Sequence, residues 1–363
     1  MLFQFGYARH QQLVIDARNC SSLTPLHYAL LRDNVRVSEL LLRRGADPNS
    51  TDDKESAALH FICMSECGDD TTLRILFDVC DERKLLVGLD AQDFRGNTAL
   101  HLALMRGHRE KAELLLRRGC NPHLINSEGS TALHIISKIS DNDIAELFFE
   151  ICFDNNQIVQ VNALDGFGLA PIHYAFELHN TSIADLLVRN GADLNLRDWT
   201  GRTPLHIVCQ VDSNVIGESL ARAFFEISED HNQTVQIDAQ DNEGLTPLQW
   251  AVARFLSDAV ALLLDHGADL SSFVFPEEKH FHDAFDRSLD TSDVELTFHV
   301  ALNVCSIIDS LEGKGYNLNN GDVKTIMINL SRYGFFQTSM ESKNKEYKQC
   351  RERLDKLFES CRT

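Results

Sequence analysis

Three side chains that could hold a metal ion lie close together on one predicted helix. His60, Cys63 and Cys67 are spaced at i, i+3 and i+7, which places them on roughly one helix face. Imidazole and thiolate groups are usual zinc ligands, but a structural zinc site has four of them. No fourth ligand is evident, so we favour core or surface thiols and predict no metal here.

A second small cluster consists of His280, His282 and Asp283. It has no further ligand at a suitable spacing, and a polar linker is the favoured interpretation. The chain also lacks a phosphate loop, a dinucleotide fingerprint, an H-E-x-x-H pair and a nucleophile elbow. We therefore predict no catalytic residue, no metal and no cofactor, and we expect a protein that is not an enzyme.

The helices that carry these side chains follow a repeated four-residue pattern, which reads Thr-Pro-Leu-His in its fullest form. Its seven copies begin at Thr24, Ala57, Thr98, Thr131, Ala170, Thr203 and Thr246. Three of the six intervals between successive copies are 33 residues long. Each residue has a mechanical reason: Thr caps a helix, Pro suits the first helical position, and Leu points into a core between stacked helices.

The pattern and its period resemble those of ankyrin repeats, over residues 1 to about 272. The resemblance implies an all-α solenoid of about seven repeats with β-hairpin fingers, in which each histidine ties neighbouring turns together. The domain boundaries we predict are a partial repeat over 1–16, the repeat array over 17–272, a linker over 273–292 and a helical tail over 293–363. In the tail, Gly315 to Asn319, then Asp322 and Ile326-Met327, resemble a segment of the expanded ankyrin proteins of parasitoid insects.

The second helices of the repeats are of two kinds. In repeats 1, 3, 5 and 7 a glycine ends the helix, at Gly45, Gly119, Gly191 and Gly267. Repeats 2, 4 and 6 are longer and lack this glycine. Their alternating apolar residues, Val159/Val161 and Val235/Ile237, indicate either a short strand in a longer finger or a lengthened second helix followed by a polar loop.

The first residues match the back half of a long repeat. Leu2, Phe3 and Phe5 precede Asp16 as Leu76 and its neighbours precede Asp90. We therefore expect that the chain begins inside a repeat and that its parent protein carried more repeats upstream.

Partner binding is expected at the finger tips and along the first helices. Asp recurs at the tips because it supports the turn, whereas Phe94, Phe167 and Trp199 have no role in forming a turn. Exposed aromatic side chains are typical binding anchors, although each could instead pack over a neighbouring finger. The predicted partner-binding residues are Phe94, Arg95, Phe167, Asp198, Trp199, Asn242 and Glu243.

Charge and composition limit the class of partner. The net charge of −20, from 34 basic and 54 acidic residues, repels phosphates and anionic headgroups. No apolar stretch has the length of a membrane span, and the chain starts without a secretory signal. Ten scattered cysteines indicate free thiols in a reducing compartment. We predict an intracellular protein, cytoplasmic or nuclear, with a protein partner and neither nucleic acid nor membrane as ligand.

The tail is predicted to form three helices. Leu296, Val300, Cys305, Ile308 and Leu311 mark the first. The second follows Asn319-Asn320, and the third begins near Glu341 and places Cys350 and Cys361 on one face. The function that we predict is an interaction scaffold or adaptor. The alternative is a substrate-recruiting subunit whose tail docks to a ubiquitin ligase, although the Leu-Pro opening of an F-box is missing.

Overall fold

The computed structural model describes residues 14–139, 141–211, 214–281, 294–332, 335 and 345–360. All regular elements in these ranges are helices, which confirms the all-α prediction for them. The chain divides into two compact units, Met1–Pro171 and Ile172–Thr363. The predicted partial repeat lies almost entirely outside the described residues, as do His282, Asp283 and Cys361.

The first unit contains four helix pairs, one from each of repeats 1 to 4. They are α1 (Pro25–Leu31) with α2 (Val35–Arg43), α3 (Ala58–Met64) with α4 (Thr71–Arg83), α5 (Ala99–Met105) with α6 (Arg109–Arg117), and α7 (Ala132–Lys138) with α8 (Asn142–Asp154). First helices pack against the first helices of neighbouring repeats, and α2 packs against α4 as α6 does against α8. Each repeat thus buries its apolar face against the next, as a repeat protein must.

The second unit contains three more pairs and the tail. The pairs are α9 (Pro171–Glu177) with α10 (Thr181–Arg189), α11 (Pro204–Val208) with α12 (Asn214–Asp230), and α13 (Pro247–Ala253) with α14 (Ser257–Asp265). A short 3-10 helix (Glu278–Phe281) and the tail helices α15 (Val294–Gly313), α16 (Asn320–Arg332) and α17 (Lys345–Ser360) follow.

Each first helix begins at the repeated pattern through reciprocal capping bonds. The Thr98 backbone N–H donates to His101 Nδ1 at 3.2 Å, and the His101 N–H donates to Thr98 Oγ1 at 3.4 Å. Ala57 has no hydroxyl, yet its N–H still donates to His60 Nδ1 at 3.0 Å. The pattern's third residue is buried, as predicted, at Leu26, Leu100, Ile172 and Leu205.

The second helices differ in length between the two kinds of repeat. Those of repeats 1, 3, 5 and 7 have nine residues, and a glycine with positive φ follows each of them. Those of repeats 2, 4 and 6 have 13, 13 and 17 residues. Lys84, Asn156 and Asn232 take the left-handed conformation after these helices. Residues 157–161 and 235–237 form no strand, so the lengthened helix was the correct alternative.

The fingers themselves are turns, and none of the described residues is in a β-strand. The predicted β-hairpin fingers are therefore corrected to hydrogen-bonded turns. The reason is that each turn is closed by its own aspartate or asparagine side chain, and neighbouring fingers share single backbone bonds.

The tail helices pack on the last repeat, because α15 lies against α14 and also contacts α16 and α17. Lys314 Nζ is 3.0 Å from a carboxylate oxygen of Asp265, and the Phe273 and Tyr316 ring centroids are 5.1 Å apart. The described part of the predicted linker is packed as well, since Phe275 and Phe281 are buried. The domain boundaries themselves stay predictions.

Two cysteines in the tail depart from the expectation of free thiols. Cys305 of α15 and Cys350 of α17 form a disulfide. Both lie on the apolar faces that the sequence predicted for these helices, so packing the two faces together brings the sulfur atoms into reach. The other cysteines of the described ranges are free, among them Cys63 and Cys67.

Candidate protein-binding surface

One acceptor side chain holds the turn at each finger tip. Asp93 Oδ1 accepts hydrogen bonds from the N–H groups of Arg95 at 2.9 Å and Asn97 at 2.8 Å. The same two bonds, to the second and fourth residues onward, recur at Asp52, Asn126, Asp165, Asp198 and Asp241. Because these bonds go to the main chain, they fix the turn whatever side chain stands at its tip.

Backbone hydrogen bonds join one finger to the next. The Phe94 N–H donates to Lys54 O at 3.0 Å, and the Ser127 N–H donates to Arg95 O at 2.7 Å. In the second unit the Asn242 N–H donates to Thr200 O at 2.8 Å. The backbone that carries Phe94 and Arg95 is therefore held on both sides.

Two fingers of the first unit approach so closely that only glycine fits. The Gly166 N–H donates to Glu128 O at 2.7 Å. A Cβ added to Gly166 would lie 2.6 Å from the same oxygen, and one added to Gly129 would lie 2.5 Å from Gly166 N. A larger residue at either position would push the fingers apart.

Buried histidines connect the first helices to the bases of the fingers. His60 Nε2 lies 3.1 Å from Asn97 O, and His101 Nε2 lies 3.1 Å from Ser130 O. The same bond recurs at His27, His134, His173 and His206. Since Nδ1 accepts the capping bond, the proton is on Nε2 and the ring is neutral. Burial lowers the pKa of all six imidazoles.

In the seventh copy Gln249 replaces the histidine and makes the equivalent bonds. Its Oε1 accepts from the Thr246 N–H at 2.8 Å, and its Nε2 donates to Val274 O at 2.8 Å. The histidine therefore serves to hydrogen-bond the start of a first helix to the base of a finger, which is the role that the sequence resemblance implied for it.

The three predicted aromatic anchors are exposed. Phe94 is 56%, Phe167 61% and Trp199 65% exposed to solvent. Packing over a neighbouring finger would have covered most of each ring, so these values favour the anchor interpretation. The Arg95 guanidinium lies 5.3 Å from the centre of the Phe94 ring, which brings these two predicted residues together.

Phe94 and Arg95 border a groove of the first unit with a volume of about 640 Å³. Its floor consists of apolar side chains from α1, α3 and α5, namely Leu31, Phe61, Met64, Leu102 and Met105. Lys54 and Arg106 also line it. Phe167 is not among the lining residues.

The end of α3 is held in place from the neighbouring repeat. Lys111 on α6 is buried, and its Nζ donates to Ile62 O at 2.9 Å and contacts Ser65 Oγ at 3.0 Å. A buried ammonium group bonded to the last carbonyls of a helix suits the negative end of the helix dipole. It fixes the turn that presents Met64 to the groove.

In the second unit, Asp198 supports the turn that presents Trp199. Asp198 is only 7% exposed, and its Oδ2 accepts from Arg202 Nε at 2.9 Å. Burial raises the pKa of this carboxyl, but hydrogen bonds from Thr200 and Arg202 outweigh that effect and the pKa is lowered. Asn242 Nδ2 donates to Trp199 O at 2.9 Å, while Glu243 is exposed on the same finger as Asn242.

The groove floor was missed at the level of sequence, although a signal for it exists. Leu31, Met64 and Met105 are the last residues of α1, α3 and α5 and lie seven residues after the start of each repeated pattern. The equivalent residue in repeat 4 is Lys138. Large apolar residues at this position in the first three repeats, followed by Lys138, Glu177 and Gln210 in the next three, are the sequence signal for the groove floor.

Within the described residues, no group of three or more His, Cys, Asp or Glu side chains is arranged to hold a metal ion. Likewise, no described helix is both long enough and apolar enough to cross a membrane.

Comparison with known proteins identifies the family. The model of ankyrin repeats (3 copies) matches residues 26–126, 112–198 and 196–273, so the chain belongs to the ankyrin-repeat family. This confirms the fold class and the family expected from the repeated pattern. The resemblance of the tail to the ankyrin proteins of parasitoid insects stays a prediction.

Two similar proteins are longer than this chain. The nuclear factor NF-kappa-B p105 subunit of Gallus gallus is 27% identical over 197 residues, which are 54% of this chain and 18% of that protein. The B-cell lymphoma 3 protein of Homo sapiens is 30% identical over 193 residues, 53% of this chain and 40% of that protein. The chain therefore spans less than half the length of either relative.

A similar solved structure is the crystal structure of the ankyrin repeat domain of Bcl-3, described as a unique member of the IkappaB protein family. It is 23% identical, covers 72% of this chain and 90% of that chain, and has a TM-score of 0.39.

Proposed function

We propose that this chain is a protein-binding adaptor that contacts its partner through finger tips and first helices, and that it is not an enzyme. Ankyrin repeats generally mediate protein–protein interaction. The observation that carries the proposal is the exposure of Phe94, Phe167 and Trp199 on turns that are fixed without them.

Rigid presentation favours binding because less conformational entropy is lost when the partner docks. The turn and the inter-finger bonds leave only the side-chain torsions of Phe94 or Trp199 to be fixed. Aromatic anchors of this type contribute about 2 kcal/mol or more when they are truncated.

The partner is expected to be a protein rather than nucleic acid or membrane, because the net charge of −20 repels phosphates. An intracellular setting, cytoplasmic or nuclear, belongs to the same proposal.

The test begins with proximity labelling by the full chain and continues with the purified partner. Phe94→Ala or Trp199→Ala should each weaken binding about thirtyfold, because a buried aromatic anchor is lost. Affinity is measured by titration calorimetry, alongside the melting temperature.

Phe153→Ala is the matched control. Phe153 is 83% exposed but lies at the end of the second helix α8, away from the finger tips. Unchanged affinity in Phe94→Ala and Trp199→Ala, at an unchanged melting temperature, would remove both residues from the binding surface.

The alternative is recruitment of a ubiquitin ligase through the tail. No observation favours it, because the described tail helices pack on α14 and on one another. Enrichment of cullin subunits by the full chain, lost on deletion of residues 294–363, would support this alternative.

A further inference from the structure

We infer that the groove of the first unit takes an extended segment of the partner that carries a large aliphatic side chain between acidic residues. The inference rests on the proposed function and names the chemistry of the partner at this one site.

The apolar floor of the groove favours binding of an aliphatic group. Leu31 and Met105 are about half exposed, and Phe61 and Leu102, which also line the groove, are buried. Methionine side chains are flexible and polarisable, so they adapt to an irregular apolar ligand. Burial of such surface supplies the non-directional part of binding.

The rim carries positive side chains that form no close ion pair within the part of the chain that the structure describes. Lys54, Arg95 and Arg106 are exposed, and none of them has a carboxylate within 4.0 Å among the residues that the structure describes.

Three arginines on or directly after the second helices of the same unit differ in this respect. Arg43 pairs with Glu39 at 2.9 Å, Arg109 with Asp143 at 2.7 Å and Arg118 with Asp81 at 2.8 Å. Within the described ranges, all three groove cations lack an intramolecular ion pair, whereas several other arginines of this unit have one.

Two of the three carboxylates that line the groove accept hydrogen bonds from the backbone of their own turns. Asp93 is buried in its turn, and Asp52 accepts two backbone hydrogen bonds. Asp53 is the exposed carboxylate among the lining residues. Three carboxylates and three cations line the groove, but two of the carboxylates are bonded to backbone N–H groups of their own turns. The exposed side chains, three cations and one carboxylate, are therefore complementary to an acidic segment, although the net charge of the chain is −20.

The apolar floor of the groove also has a defined end. At the position of Leu31, Met64 and Met105, repeat 4 carries Lys138. An aliphatic anchor is thus accommodated over repeats 1 to 3, and the next repeat has a lysine in place of the large apolar residue.

The experiment titrates the full chain with fluorescein-labelled synthetic peptides of one length and measures anisotropy. Each peptide has a central leucine, and its flanks are glutamate, lysine or serine; a fourth has glutamate flanks and a central serine. We expect the peptide with leucine and glutamate flanks to bind most tightly.

Charge reversal should invert that preference. In the Arg95→Glu, Arg106→Glu double variant, affinity for the glutamate-flanked peptide should fall about tenfold or more while the lysine-flanked peptide gains. A gain of binding cannot come from a misfolded variant. Arg36→Glu, an exposed arginine on the second helix α2 of the same unit, is the matched control and should change neither affinity.

Three results would overturn the inference: equal or tighter binding of the lysine-flanked peptide to the unaltered chain, retained binding after leucine is replaced by serine, or no binding by any peptide. In each case the loss of the labelled protein partner in Phe94→Ala or Trp199→Ala would still uphold the proposed function. If those variants also retain the partner, the proposed binding surface fails as well.

Discussion

At the residue scale, a neutral histidine ring in six of the seven repeats makes two hydrogen bonds at once. In His101, Nδ1 accepts from Thr98 and Nε2 donates to Ser130 O. A protonated ring has no acceptor, so a proton would break the capping bond inside a buried site. Burial also disfavours the charged ring, and the pKa of His101 and of its five counterparts is lowered.

We expect acid to destabilise the folded chain as the pH falls from about 7 through the unfolded histidine pKa of about 6.5. Below the unfolded pKa of about 6.5, the unfolded histidines bind protons that the folded ones refuse, so the free energy of unfolding falls with falling pH. Each such histidine contributes a slope of up to about 1.4 kcal/mol per pH unit.

Urea unfolding of His101→Gln across this range should give a smaller slope, because Gln249 shows that an amide makes both bonds. His299→Gln, on an exposed face of α15, is the control. Equal slopes in both variants would contradict the assignment.

At the element scale, the sequence predicts the helices well because capping residues and apolar positions recur in every repeat. The starts of α1, α5 and α13 follow directly from their threonines. In repeats 2, 4 and 6 the sequence does not decide between a lengthened helix and a short strand, because a few alternating Val and Ile residues fit either structure. The left-handed residues that follow these helices are Lys84, Asn156 and Asn232, so no glycine marks their ends in the sequence.

The close approach of two fingers at Gly166 gives a prediction at this scale. Gly166→Ala should lower the free energy of unfolding by about 1–3 kcal/mol, since the new methyl group overlaps Glu128 O. Gly313→Ala is the control, because nothing lies within 4 Å of its Cβ position. Thermal unfolding compares them, and equal melting temperatures would show that the fingers separate without cost.

At the scale of the whole molecule, the sequence predicts the repeats, the tail and the exposed aromatic tips, but not the groove or the disulfide. The groove depends on which side chains of three repeats face one another, and the pairing of Cys305 with Cys350 depends on how α15 and α17 pack. Both are tertiary contacts between segments that lie far apart in the sequence.

The packing of α15 on α14 predicts a stabilising role for the tail. A terminal repeat needs a cover for its apolar side. Deletion of residues 294–363 should therefore speed amide hydrogen exchange in α14, while α2 in the first unit keeps its protection. Unaltered exchange in α14 would show that the last repeat is stable without the tail.

The turns at the finger tips have a consequence for how new specificity arises. Because the Asp93 and Asp198 carboxylates bond to main-chain amides, the framework does not depend on what stands at positions 94 and 199. Under the proposed function, a single codon change at either position would alter what the surface recognises and leave the scaffold intact. New binding specificity could then arise by single substitutions at the finger tips, without loss of the fold.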